Sequence, residues 1–252
     1  MKEIAHLYSG GTDSTYAAIL MLKIYDKVRL LTYDRLGFKN VHLSKRYVAK
    51  LQKIFGYDRV THTIMNIDSE YKILSRVDNY TEFFKYGFFN LMTCGLCKLA
   101  MHWRTIIYCL DNGIKYVSDG SGKEMYVDPS QHSAVIPEMR KLYKRFGIQY
   151  LSPSFDTSPE EREGVLFKMG ISERQVIKWT DATWELQPIC SQEYLHLLHV
   201  QYKCKKRIFQ LRDLQPDYLK YEKRMLDFHK HKREKLVWLI ERYIAANKIV
   251  TS

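Results

Sequence analysis

Six residues near the N-terminus, Ser9-Gly10-Gly11-Thr12-Asp13-Ser14, constrain this chain more than any other stretch. They follow the apolar run Ile4–Tyr8 and lead into a helix-like segment, Asp13–Tyr25. A strand, a glycine-rich turn and a helix in that order form a physical device for holding phosphate. The glycines permit positive φ and close main-chain approach. The helix start presents unpaired N–H groups and the positive end of its dipole to an anion. Ser9, Thr12 and Ser14 add hydroxyl donors. Asp13 repels phosphate, so it is expected to sit beside Mg²⁺, to cap the helix, or both. The spacing matches neither the Walker loop nor the dinucleotide fingerprint. The plain alternative is an ordinary βα turn with a Ser/Asp cap.

Strands and helices then alternate. Lys27–Tyr33, Arg59–Ile67, Lys115–Asp119 and Gln149–Phe155 read as strands; Leu43–Phe55, Leu96–Leu110 and Glu160–Met169 read as helices. The helix over Leu96–Leu110 is the clearest, with apolar residues at helical spacing and Gly113 as its stop. This order predicts an α/β fold with a parallel sheet covered by helices on both faces. Ligands in such sheets sit beyond the C-terminal strand ends. The turns Ser9–Ser14, Tyr33-Asp34 and Asp119–Lys123 are therefore expected to converge. Residues 1–180 are expected to form this domain, and residues 181–252 a basic C-terminal helical extension. Residues 229–235 lack an apolar side chain and read as a turn or a solvated face.

Cys94-Gly-Leu-Cys97 opens the amphipathic helix, where two sulfurs can reach one metal and the dipole favours thiolate. Cys190, just past Pro188, is a third candidate ligand, and Cys204, among lysines, a fourth; Cys109 reads as core. Four thiolates suit a closed zinc site. Three leave one position open, as in an iron–sulfur cluster with one iron free. Two cysteines packed as small hydrophobes are the plain alternative.

The 252 residues carry a formal charge of +12. Between Lys203 and Lys235, twelve Lys/Arg stand against five Asp/Glu. Such a segment points to a polyanion, nucleic acid above all, or else to a solvated helix surface. No stretch is apolar enough to span a membrane. The chain enters its first strand at once, so no secretory signal and a cytoplasmic location are expected. His6 reads as a satisfied core histidine. The aromatic cluster Phe83, Phe84, Tyr86, Phe88 and Phe89 reads as packing or a lid before a base-stacking platform. His102 has no assigned role. Lys98 and Arg104 face either an anionic substrate or water.

Ser-Gly-Gly-x-Asp-Ser at a first βα turn resembles the PP-loop of the ATP pyrophosphatases. Together with Cys94/Cys97 and the Pro188-Ile189-Cys190-Ser191-Gln192-Glu193 neighbourhood, it is most similar to the tRNA 2-thiocytidine synthetase type of PP-loop thiolases. The likeness to the 7-cyano-7-deazaguanine synthases is weaker. The resemblance implies a Rossmann-like (HUP-type) fold and cleavage of ATP to pyrophosphate with adenylation of a substrate. Sulfur transfer follows, with tRNA as the implied acceptor. It implies ATP bound by Ser9, Gly10, Gly11, Thr12, Asp13 and Ser14, with Tyr33, Asp34 and Gly120 beside the nucleotide. Mg²⁺ would be held at Asp13, and a [4Fe–4S] cluster by Cys94, Cys97 and Cys190; the first two and Asp13 carry the chemistry. The family's Gly-His-x-x-Asp-Asp is here Asp119-Gly120-Ser121-Gly122-Lys123-Glu124, leaving Asp119 and Glu124 as the acids available for Mg²⁺. The alternatives are an amide- or nitrile-forming ligase with structural Zn²⁺, and a non-catalytic nucleotide-binding module. An oligomer is compatible with all three.

Overall fold

The computed structural model describes residues 1–76, 80–86, 93–125, 128–173 and 221–247, and residues 189–190 by their backbone. The main elements are β1 (Glu3–Leu7), α1 (Thr12–Leu22), β2 (Lys27–Asp34), β3 (Phe38–Lys39), α2 (Ser44–Phe55), β4 (Val60–Asn66), α3 (Asp68–Ser75), α4 (Tyr80–Tyr86) and α5 (Thr93–Asn112). Then follow β5 (Tyr116–Asp119), α6 (Ile136–Lys144), β6 (Gln149–Leu151), α7 (Pro159–Lys168), β7 (Ile189–Cys190) and α8 (Glu222–Asn247). The fold is the expected α/β architecture: a parallel five-stranded sheet in the order β4-β2-β1-β5-β6.

The period-2 alternation of the strands sends side chains to opposite faces. Val28 and Leu30 of β2 pack with Ile4, α1, α2 and Leu166 of α7. Leu31 and Tyr33 pack on the other face with Ala5, Leu7, α5, α6 and α8. Both faces are covered, as an all-parallel sheet requires. The chain steps outward from β1 through β2 to β4 on one side, and from β5 to β6 on the other. The direction of winding reverses between β1 and β5, so a crevice opens at their C-terminal ends.

Several parts of the chain depart from the sequence-based expectation: α3 and α4 form where no element was assigned, and β6 ends at Leu151 instead of Phe155. The helix α6 lies in a stretch without an assigned element; its buried Ile136, Met139, Leu142 and Tyr143 recur at helical spacing. Residues 229–235 are not a turn but the middle of the 26-residue α8. The buried stripe of α8 runs Met225, Phe228, His229, Lys232, Leu236, Ile240, so two of its positions are polar. Lys232 is tolerated there because Glu82 of α4 pairs with it and the Arg76 carbonyl accepts from its Nζ at 3.1 Å. Leu236 and Ile240 belong to the same core cluster as β1 and α5.

Three imidazoles are sealed in this interior. Burial pushes His6 down to about 4, and His102 and His229 each to about 3. Each is neutral when folded and gains a proton near pH 6.5 when unfolded. The unfolded chain therefore binds more protons at pH 4–6.5, and stability rises with pH across that window. Urea denaturation is expected to show stability lost on acidification from pH 7 to pH 5. The slope reaches up to about 1.4 kcal/mol per pH unit for each imidazole. A flat profile over this range would contradict the burial of all three.

Candidate functional site

The Ser9–Ser14 turn connects β1 to α1 at the crevice. Gly10 adopts φ +80°, and a Cβ there would lie 2.7 Å from Ser44 Cα. Only glycine allows both, and the first residue of α2 thereby comes against the turn. Two helix starts, those of α1 and α2, converge on it. Gly11 N–H turns back to Ser9 Oγ at 3.3 Å. The N–H groups of Gly10 and Thr12 have no partner among the described residues.

The hydroxyls are more committed than expected. Ser14 Oγ meets Ser9 Oγ at 2.9 Å and donates to the Gly11 carbonyl at 3.1 Å. Thr12 Oγ1 donates to Glu163 Oε1 at 2.8 Å. Asp13 is not the helix cap: Gly11 holds that position, and its side-chainless residue caps nothing. Asp13 instead pairs with Arg162 of α7 at 2.6 Å. The same buried guanidinium pairs with Glu124, so it draws the acid of the turn and the acid beyond β5 together. Tyr16 Oη donates to Glu161 Oε1 at 2.9 Å, completing the attachment of α7 to α1. Arg162 escaped the sequence reading; its signal is a cation one helical turn from Leu166, on the buried stripe of that helix.

Tyr33 does not flank the crevice. Two residues after Leu31, it shares that residue's face, is 4% exposed, and its hydroxyl meets Thr105 Oγ1 at 2.5 Å. Asp34, at the strand end, is partly exposed, and its carbonyl accepts from Ile67 N–H at 2.9 Å. Gly120 serves a different neighbour from the one expected. A Cβ there would lie 2.6 Å from Ser14 Cα and 2.7 Å from Ser14 N. Its missing side chain admits the Ser9–Ser14 turn.

Asp119 is fully buried and not available to Mg²⁺ as expected. Lys98 Nζ lies 3.0 Å from its Oδ2, and Ser121 Oγ donates to the same oxygen at 2.5 Å. Burial pushes this carboxyl up, but the Lys98 ammonium and the Ser121 hydroxyl outweigh it and hold Asp119 well below the ordinary carboxylate range. Lys98, 19% exposed, thus directs its charge to Asp119, and Arg104 pairs with Glu70 at 2.5 Å. His6 is the satisfied core histidine expected. Its Nε2–H donates to the Ser14 carbonyl at 2.9 Å, and its Nδ1 accepts from Ser118 at 2.8 Å. His102 Nδ1 meets Tyr143 Oη at 2.8 Å.

Cys94 and Cys97, three residues apart in the first turn of α5, share a helix face. Cys97 is buried and Cys94 partly exposed. Arg35, just beyond β2, donates from Nε to Cys97 Sγ at 3.1 Å. Its guanidinium lies 4.0 Å from the Tyr71 ring and 5.1 Å from the Phe38 ring. Phe38 pairs through its backbone with Cys190 in the β3–β7 ribbon. Cys97 thus meets Arg35, and the Cys190 backbone is paired beside Phe38, which packs on the same guanidinium; cysteines as donors fit a thiolate-held cluster or zinc. Among the described residues no three His, Cys, Asp or Glu side chains meet as a metal site. Cys204 and the Cys190 side chain lie outside the described residues, as do Phe88 and Phe89. Cys109 is core, as expected.

No family model matches the chain, and no curated protein matches it. Among solved structures it is similar to a protein of Methanocaldococcus jannaschii described as a predicted subunit of tRNA methyltransferase. The identity is 18%, covering 67% of this chain and 76% of that one, with a TM-score of 0.44. It is also similar to the U34-tRNA thiolase NcsA of Methanococcus maripaludis, solved with its [4Fe–4S] cluster. There the identity is 11%, covering 97% of this chain and 72% of that one, with a TM-score of 0.45.

Proposed function

We propose that this protein is an ATP-dependent, AMP- and pyrophosphate-forming enzyme that adenylates a substrate oxygen and replaces it with sulfur, with RNA of the tRNA class as acceptor. The observation that carries this reading is the short link between its two motifs. Lys98, the residue after Cys97, is ion-paired to Asp119, and the next residue, Gly120, lies against Ser14. The thiol-bearing helix and the phosphate turn are thus joined through two contacts.

In this reading the N–H groups of Gly10 and Thr12 and the two converging helix starts bind the pyrophosphate of ATP. Arg162 keeps the Asp13 and Glu124 carboxylates at the crevice edge, where they would hold Mg²⁺. A substrate carbonyl oxygen attacks the α-phosphorus as the bond to the β-phosphate oxygen breaks, and pyrophosphate leaves. A sulfur nucleophile then adds to the activated carbon, and AMP departs with the original oxygen. Cys94, Cys97 and Cys190 would hold a [4Fe–4S] cluster, which supplies an open iron position for sulfide. Arg35 orients and shields the Cys97 sulfur through its Nε–H.

The test is product analysis with ATP, Mg²⁺ and RNA. AMP and pyrophosphate are expected, and Asp13→Asn should lower their formation about 100-fold or more while the variant still folds. Release of ADP and phosphate would end the reading. Metal analysis after anaerobic purification is expected to return iron and labile sulfide. Zinc alone would transfer the cysteines to a structural role and favour a ligase.

A further inference from the structure

The aromatic cluster preceding Cys94 is divided by the fold into two sets. Tyr86 and Glu82 of α4 face inward. Tyr86 meets the Phe228 ring edge-on at 5.3 Å and stacks on His231 at 5.5 Å, while Glu82 pairs with Lys232. The other set faces outward: Tyr80, Phe83 and Phe84 are 85%, 54% and 77% exposed. Phe83 and Phe84 stand edge to face, with centroids 5.9 Å apart. Three large rings in water on one seven-residue helix have no role in packing the core.

Their surroundings are basic. The polar α8 side chains that reach α4 or the end of α3 are Arg224, His231, Lys232 and Lys235. Arg224 Nη2 donates to the Lys85 carbonyl at 2.6 Å, and Lys235 Nζ to the Arg76 carbonyl at 3.3 Å, so the exposed Lys85 and Arg76 join the same surface. Among the described residues that these contacts join, the one acid, Glu82, is buried against Lys232.

We infer that Tyr80, Phe83 and Phe84, on the α4 surface that Arg76, Lys85, Arg224 and Lys235 adjoin, form a stacking platform for unpaired RNA nucleotides. This rests on the RNA half of the proposed function and adds where and how the RNA is held. Flat exposed rings accept bases of any sequence, and the flanking cations meet the phosphates. A second copy of this chain would bring like charge against like charge. The platform serves single strands, because stacking on a side chain requires a base that its neighbours have released.

The experiment measures the anisotropy of a labelled single-stranded oligouridine, and of the same RNA in a duplex, across a salt series without ATP. Wild-type protein is expected to prefer the single strand. Phe83→Ala/Phe84→Ala should weaken its binding about tenfold or more without changing the salt dependence. Phe83→Tyr/Phe84→Tyr should keep the affinity. Arg76→Gln/Lys85→Gln should reduce the salt slope by about 0.7 for each phosphate that is no longer neutralised. Matching thermal melts verify that the exposed-site variants fold. Unaltered RNA affinity in the alanine variant overturns the platform and leaves RNA as partner. Failure of the wild type to bind RNA overturns both. Loss of self-association, or of binding to phosphatidylserine vesicles, with RNA affinity intact reassigns the surface to those partners.

Discussion

Gly120→Ala is expected to destabilise the protein by about 3 kcal/mol and, under the proposed function, to abolish most pyrophosphate release from ATP. The added methyl would stand 2.6 Å from Ser14 Cα, 2.7 Å from Ser14 N and 2.9 Å from the Asp13 carbonyl carbon. All three are main-chain atoms of the first turn of α1, so no rotamer change relieves the overlap. Either β5 or the phosphate turn must move. The His6 bond to the Ser14 carbonyl and the Ser9–Ser14 contact resist that motion. A displacement near 1 Å at the turn is enough to lower pyrophosphate release about 100-fold. The control is Gly164→Ala in α7, where a Cβ meets nothing within 4 Å. That change should stabilise the helix by about 0.5–1 kcal/mol. Urea denaturation and pyrophosphate assays of both variants check the pair. Equal effects would mean that β5 does not lie against the turn.

Lys98→Met should cost about 3–5 kcal/mol at pH 7, since it strips a buried carboxylate of its cation. Asp119 is fully buried, and its remaining partner Ser121 cannot balance a full charge. The pH dependence distinguishes this from a packing loss. In the wild type the depressed Asp119 carboxyl contributes stability above the unfolded value near 3.9, and that contribution fades as pH falls through the folded value. Without Lys98, burial outweighs the remaining Ser121 hydrogen bonds and raises the folded carboxyl above its unfolded value. The penalty should therefore shrink as pH falls and the carboxyl gains a proton. Asp119→Asn in the Lys98→Met background should recover part of the loss at pH 7. A pH-independent penalty would show that Lys98 acts through its methylene stem instead.

The Ser9–Ser14 turn was legible because its requirements are local. A glycine at positive φ, a strand before it and a helix after it are encoded within a few residues. The parallel sheet was legible because β1 and β2 are apolar on both faces. Tyr33 was misread for the same reason that β2 was found: strand periodicity assigns it to the face of Leu31, and a tyrosine at a strand end looks equally apt for a ligand. Residues 229–235 were misread because polarity normally marks solvent. Here Lys232 occupies a core position, permitted by Glu82 and the Arg76 carbonyl, which lie far earlier in the chain.

The amino-acid order alone determined the βα alternation, the glycine turn of Ser9–Ser14 and the shared helix face of Cys94 and Cys97. These follow from backbone conformation and short-range spacing. The tertiary structure alone decided that Arg162 joins Asp13 to Glu124, that Gly120 admits Ser14, and that Lys98 neutralises Asp119. It also decided which rings of α4 face water. Each of these depends on which distant side chain arrives to balance a buried charge or fill a space, and local pattern carries no record of that.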